Sequence, residues 1–222
     1  MFQQRALIFK ADSKRFLFGV VFFASSFILT NAALALDVNG VRVEEKIKLA
    51  NQDLVLNGSG IRYAAAGFVR VYVASLYLPQ KRASVADISA LKGPKRMHLN
   101  LVRDINANDF SKALLAGMRA NLSAADQQKH FDGLMKLGAI FGQIPSLKKG
   151  ETISVDSLPG VGTFILVNGK KVGDALADET FFNALTQIWL GPKPIEESLK
   201  SVLLGITASN DTSLSNNTRD KF

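Results

Sequence analysis

The sequence predicts an α+β domain, an antiparallel sheet with helices packed on one face, and three observations predict it. Residues 41–78 and 152–167 are rich in β-branched, aromatic and leucine residues cut by turn formers. Residues 110–141 carry apolar side chains at helical spacing. A second helical stretch closes the chain near Gly205.

Taken in order, Val41 to Leu78 reads as strands joined by tight turns at Asn57-Gly58 and Gly67. Phe68 to Leu78 (FVRVYVASLYL) has large residues at both parities, as a central strand covered on both faces would. A short helix capped by Ser84 leads to a strand near Arg96 to Val102, where Met97, Leu99 and Leu101 alternate with polar neighbours. Phe110, Leu114, Leu115 and Met118 mark one face of a helix opened by an Asn or Asp cap. Ser123 and Asp126 open another, whose apolar face is expected to hold Phe131, Leu134, Met135, Gly138 and Phe141 until Gly142 and Pro145 end it. Strands return at Thr152 to Leu158 and Gly162 to Val167, with Pro159-Gly160 between them and Asn168-Gly169 as the next hairpin turn. Asp178 is expected to cap a helix from Glu179 to Leu190, and Gly191-Pro192 separates it from a last helix ending at Gly205. Residues 207–222 are polar and aperiodic, which reads as a disordered tail.

The first 35 residues read as an export signal. Arg5, Lys10, Lys14 and Arg15 form a basic head, Phe16 to Leu29 is an uncharged apolar run, and Ala33-Leu34-Ala35 offers a signal-peptidase step. The mature chain, residues 36–206 plus the tail, would begin at Leu36 and be periplasmic or secreted, without stable membrane insertion. The alternative is an uncleaved anchor, because the uncharged stretch runs on to Leu36. The chain carries 27 Lys and Arg against 19 Asp and Glu, and loss of the leader leaves 23 against 18. Those charges are scattered, with no basic stripe interleaved with aromatics, so nucleic acid is not an expected partner.

Zero cysteines among 222 residues exclude disulfides, thiolate nucleophiles and cysteine-ligated metals, and two histidines, His98 and His130, exclude an all-histidine metal centre. Both histidines read as surface or structural groups, and no metal or cofactor is expected. There is no G-x-S-x-G elbow, Walker loop or H-E-x-x-H helix, and Gly58-Ser59-Gly60 reads as a turn between strands rather than a phosphate cradle. The strand pair flanking Gly67 is more informative. A turn centred there sets paired residues to a constant sum of 134 and puts Arg62 opposite Tyr72 on one face. A guanidinium beside a phenol suits a carboxylate or an enolate-like oxygen. The same pair also reads as a surface arginine next to a core tyrosine.

The stretch GSGIRYAAAGFVRVYVASLYLP, followed by FFNALTQIWLG and PIEESLKSVLLG, resembles the chalcone isomerase family, in particular its secreted bacterial chalcone-isomerase-like branch, from Asp37 to Gly205. The resemblance implies an open-faced β-sandwich, a large antiparallel sheet backed by a layer of helices, with a ligand cleft between them. It also implies one of two activities, since plant members cyclise chalcones to flavanones and non-enzymatic members bind fatty acids in the same cleft. Arg62 falls on the family's ligand-site arginine, and Tyr72 falls where the binders carry a tyrosine and the enzymes a threonine. The enzymes' helical Tyr, Lys and Asn correspond to Lys129, Asp132 and Lys136, and none matches.

The leading expectation is therefore an exported binder of a fatty acid or similar small apolar carboxylate, with Arg62 as counter-ion, Tyr72 as hydrogen-bond donor and no assigned catalytic residue. Phe110, Leu114, Met118, Phe131 and Met135 are candidates either for a tail pocket or for plain core. An intramolecular lyase of the chalcone–flavanone isomerase type and an envelope structural protein are the alternatives.

Overall fold

The computed structural model describes residues 35–206 apart from 66, 145 and 177–179. The expected leader to residue 34, the tail from 207, and the capping Asp178 and Glu179 lie outside the described residues.

The chain opens with two short strands, β1 (Ala35–Val38) and β2 (Val41–Glu44), paired around Asn39-Gly40. Both turn residues have positive φ, 54° and 83°, the geometry a two-residue hairpin needs. Next come β3 (Lys46–Leu49), the long β4 (Gln52–Ala64) and β5 (Val69–Leu78). Helix α1 (Val85–Ala90) follows, its Ser84 cap accepting from the Asp87 N–H as expected. Strand β6 (Lys95–Leu101) buries Met97, Leu99 and Leu101 and turns Arg96, His98 and Asn100 to the opposite face.

Strand β7 (Ile105–Asn106) leads into α2 (Ala107–Asn121), capped by Asn106 through two backbone N–H groups. The predicted second helix is two: α3 (Ala124–Lys129), capped by Ser123, and α4 (Phe131–Gly142), with His130 between them at φ −99°, ψ 12°. Strand β8 (Ser146–Leu147) pairs with β7. Strands β9 (Thr152–Leu158) and β10 (Gly162–Val167) match their predicted bounds, and β11 (Lys170–Leu176) follows the Asn168-Gly169 turn. Helices α5 (Phe181–Leu190) and α6 (Glu197–Leu203) complete the described chain, with Gly205 at φ 69° closing α6.

Seven strands form one antiparallel sheet in the order β11-β10-β9-β6-β5-β4-β3. All of α2, α3 and α4 is inserted between neighbours β6 and β9, so the connection itself supplies much of the helical layer. The larger apolar core lies between sheet and helices and joins Tyr72, Leu76, Met97 and Leu99 to Phe110, Leu137, Phe181 and Trp189. A smaller core on the other face joins Val73 and Tyr77 to Val43, Leu49 and Leu54. Strand β5 is thus covered on both sides, and every residue from Val71 to Leu78 is buried.

One expected turn is absent. Asn57-Gly58 and Gly58-Ser59-Gly60 lie inside β4, where a bulge between Leu56 and Gly58 shifts the pairing with β5. Asn57 uses its side chain as a clamp, donating to the carbonyls of Arg82 and Leu203 and accepting the Arg82 N–H. The glycines make room for a helix: a Cβ at Gly58 would fall on the Val202 carbonyl oxygen, and one at Gly60 would press on Leu199 at 3.1 Å. Missing side chains here serve the seat of α6 on β4, not a change of chain direction.

Candidate ligand-binding site

Strands β4 and β5 hold Arg62 and Tyr72 directly opposite each other, as the constant-sum pairing requires. That register runs unbroken from Gly58↔Leu76 to Arg62↔Tyr72 and then slips by one, so Tyr63 faces Arg70. The slip lies beyond the pair, between it and the turn at Ala65 to Phe68, and so leaves the two side chains on one face. The Arg62 guanidinium carbon stands 5.8 Å from the centre of the Tyr72 ring, within cation–π range.

Tyr72 is 2% exposed. Its ring meets Phe110 of α2 edge-on at 6.4 Å, and Phe110 meets Phe141 of α4 at 5.3 Å. The hydroxyl oxygen accepts the indole N–H of Trp189, from α5, at 2.9 Å. Burial pushes the phenol up to about 12, with Arg62 and the Trp189 bond opposing that rise and the Glu196 charge adding to it. Tyr72 therefore keeps its proton at neutral pH. Among the described residues that proton has no recorded acceptor.

Arg62 shows the same deficit. Its Nε is buried and has no hydrogen-bond partner among the described residues. Glu196, between α5 and α6, is engaged elsewhere, taking the Tyr63 N–H at 2.8 Å and the Ser198 hydroxyl at 2.7 Å. Among the described residues a buried cationic donor without a partner, Arg62 Nε, thus stands beside a phenol whose oxygen is bonded but whose proton is not. Two lone-pair-bearing oxygens of one carboxylate would satisfy both.

The helical expectations divide. Phe110, Leu114 and Met118 are buried in the main core, whereas Phe131 and Met135 are 53% and 61% exposed, lie outside that core and line a cavity of about 320 Å³ with Leu115, Arg119 and Leu134, away from Arg62 and Tyr72. The break at His130 explains this: α4 starts afresh at Phe131 and buries Leu134, Leu137, Ile140 and Phe141 instead. Lys129, Asp132 and Lys136 are exposed and line a cavity of about 210 Å³ with Gly133, Leu176 and Phe181, and that lining includes neither Arg62 nor Tyr72. The helices brought to Tyr72 are α2 and α5, through Phe110 and Trp189. His98 is bonded through Nδ1 to the Ser154 hydroxyl at 2.8 Å. Among the described residues no three His, Asp or Glu side chains cluster as a metal site.

Sequence reasoning missed Trp189 and Glu196. Trp189 is the chain's single tryptophan and sits on an apolar helix, a signal that an indole N–H must find a buried acceptor. Glu196 carried no such signal.

No curated protein sequence matches the chain. Among solved structures it is similar to a crystal structure of a fatty-acid binding protein from Arabidopsis thaliana, with a TM-score of 0.58 and 16% identity over 74% of this chain and 92% of that one. At that identity the likeness concerns the fold. The sequence pattern described as chalcone isomerase-like matches residues 35–205. Sheet order, helical layer and that match over most of its length agree, and the chain belongs to the chalcone isomerase-like family.

Proposed function

We propose that this chain binds a fatty acid or a similar long apolar carboxylate, with Arg62 as counter-ion and Tyr72 as hydrogen-bond donor. The observation that carries this reading is the buried Arg62 Nε, which has no hydrogen-bond partner among the described residues, beside the Tyr72 phenol. Leaving a buried donor unsatisfied costs about 1–3 kcal/mol, more for a charged group, which an incoming carboxylate recovers. The fold it shares with a fatty-acid binding protein supports the same reading. Phe110 stands against Tyr72 on the helical side with Phe141 behind it, so an acyl chain would lie along these rings or turn them aside.

Those same rings favour one other reading, a structural protein whose core simply closes over Tyr72. Lipid extraction from protein purified natively, followed by mass spectrometry, separates the two. A stoichiometric long-chain acid supports binding; protein that is empty and takes up no added fatty acid supports the structural reading.

Export is part of the proposal. Cleavage after Ala35 would remove only the first residue of β1 and leave the Leu36↔Val43, Asp37↔Arg42 and Val38↔Val41 pairs in place. No helix among the described residues is long and apolar enough to cross a membrane.

A further inference from the structure

The face of the sheet turned away from the helices carries a second constellation. Arg96, His98 and Asn100 project from β6 at two-residue spacing, beneath β2. With Arg42, Glu44 and Tyr77 they line a cavity of about 280 Å³, and Val43 and Ile47 supply an apolar wall. Nearly twice the roughly 150 Å³ that houses a benzene, this volume suits a molecule of about a dozen non-hydrogen atoms.

Arg96, His98 and Tyr77 are each held in place by a neighbouring strand. Arg96 is gripped by Asp156 of β9 through Nε and Nη2, both at 2.6 Å, which leaves Nη1 outside that fork. His98 sits between its pairing partners Ser75 and Ser154 and bonds to the Ser154 hydroxyl. Burial first, and the Arg96 charge second, hold its pKa down to about 4, so it is neutral at physiological pH. Tyr77 donates to the Glu44 carbonyl at 2.9 Å and ties β2 to the sheet as the cavity's roof. Asp156 neutralises Arg96 but leaves its Nη1 outside the fork, so Nη1, the Arg42 guanidinium and the Asn100 amide are the cavity's donors and Glu44 its one exposed carboxylate.

We propose that this outer-face cavity is a second binding site, separate from Arg62 and Tyr72, for a small organic acid whose carboxylate is held by Arg42 and Arg96 and whose short apolar body rests on Val43 and Ile47. Arg96 is the fixed element of the site and Arg42, exposed on β2, the adaptable one.

The test uses amide chemical shifts of the whole protein during titration with benzoate, and separately with inorganic phosphate. Benzoate is expected to give saturable shifts at residues 42–47 and 96–100. Arg42→Ala should weaken that binding about five-fold or more, as loss of one charge-assisted bond does. Arg62→Ala should leave it unchanged, which keeps this site distinct from the fatty-acid site whatever the fate of the latter. Since Arg42 is exposed, its loss leaves the fold intact, and Asn100→Leu, which removes the amide, provides a second variant with the same expected direction. Absence of saturable shifts up to about 20 mM benzoate, well beyond a Kd of about 1 mM, would overturn the proposal. So would saturation by phosphate but not benzoate, or equal affinity in Arg42→Ala.

Discussion

Arg62 and Tyr72 owe their adjacency to where a bulge falls. Had the register slipped one residue earlier, Arg62 would face Val71 rather than Tyr72, and the guanidinium and phenol would not stack. Tyr72 is held from two further directions, by the Trp189 indole and the Phe110 edge, so its hydroxyl is positioned before any ligand arrives. Trp189→Phe should free the hydroxyl to rotate and leave part of a fully buried site unfilled. We expect a loss of about 1 kcal/mol in fatty-acid affinity and a lowered unfolding midpoint, measured by calorimetric titration and thermal unfolding.

Buried tyrosines also set an alkaline limit. Tyr72 and Tyr77 are both raised from 10.0 to about 12, chiefly by burial. Below pH 10 each is neutral in the folded and unfolded chains and contributes no pH dependence. Between pH 10 and 12 only the unfolded chain loses the proton, so stability falls across that window, by up to roughly 2–3 kcal/mol for Tyr72. His98, lowered to about 4, acts at the other end: as pH falls from about 6.5 to about 4 the unfolded chain takes a proton that the folded chain refuses, and stability drops. Denaturant unfolding across pH should show both shoulders, with the acid one absent in His98→Gln and the alkaline one reduced in Tyr72→Phe.

At the scale of elements, the contact between α6 and β4 depends on Gly58. A methyl group there meets the Val202 carbonyl, which is backbone and cannot swing aside. Gly58→Ala should therefore cost about 1–3 kcal/mol, at the upper end because helix and strand must separate, and should lower the unfolding midpoint. Gly60→Ala, facing the flexible tip of Leu199, should cost less.

The same strand shows what could be read beforehand. Alternation made β6 legible to within a residue or so, because one face is apolar and the period is two, and the turn formers Pro159-Gly160 and Asn168-Gly169 bounded β9 and β10. Ser84 and Ser123 were legible as caps because a cap is a local bond, and the expected Asn or Asp cap of α2 is Asn106. Asn57-Gly58 has the composition of a hairpin turn yet lies within a strand, because glycine also permits close approach and only the distant α6 decides which use applies. Likewise the junction at His130 redirects α4 and exposes Phe131 and Met135, although their spacing alone matches a buried face. In the site, the Arg62 and Tyr72 pairing was legible from one turn. Trp189 lies 117 residues from Tyr72 in sequence, and no local pattern links the two.

For the molecule as a whole, the sheet separates two environments. Its helical face is an aromatic and aliphatic core with the Arg62 and Tyr72 donors set in it. Its opposite face carries the Arg96–Asp156 ion pair and the His98–Ser154 bond. If the leader is removed as proposed, protein from its native source begins near Leu36 and is extracted without detergent, as N-terminal sequencing of the soluble fraction would show; an intact Met1 in a membrane fraction resistant to salt and alkali would contradict it. It also predicts no stereoselective cyclisation of a chalcone. The groups around Tyr72 are Phe110 and Trp189, and each absent preorganised donor is worth about 10²–10³ in rate. Chiral chromatography of the product is the check, and an enantiomeric excess abolished in Arg62→Ala would reverse the assignment.

The central claim is that Arg62 is the counter-ion of a bound carboxylate. Calorimetric titration of a long-chain fatty acid into delipidated protein, wild type against Arg62→Ala, tests it most directly. Loss of a buried arginine–carboxylate contact costs roughly 2–5 kcal/mol, so affinity should fall about thirty-fold or more, with Tyr72→Phe costing only about 1–2 kcal/mol. Equal affinity in Arg62→Ala, with an unchanged circular dichroism spectrum, would contradict the claim.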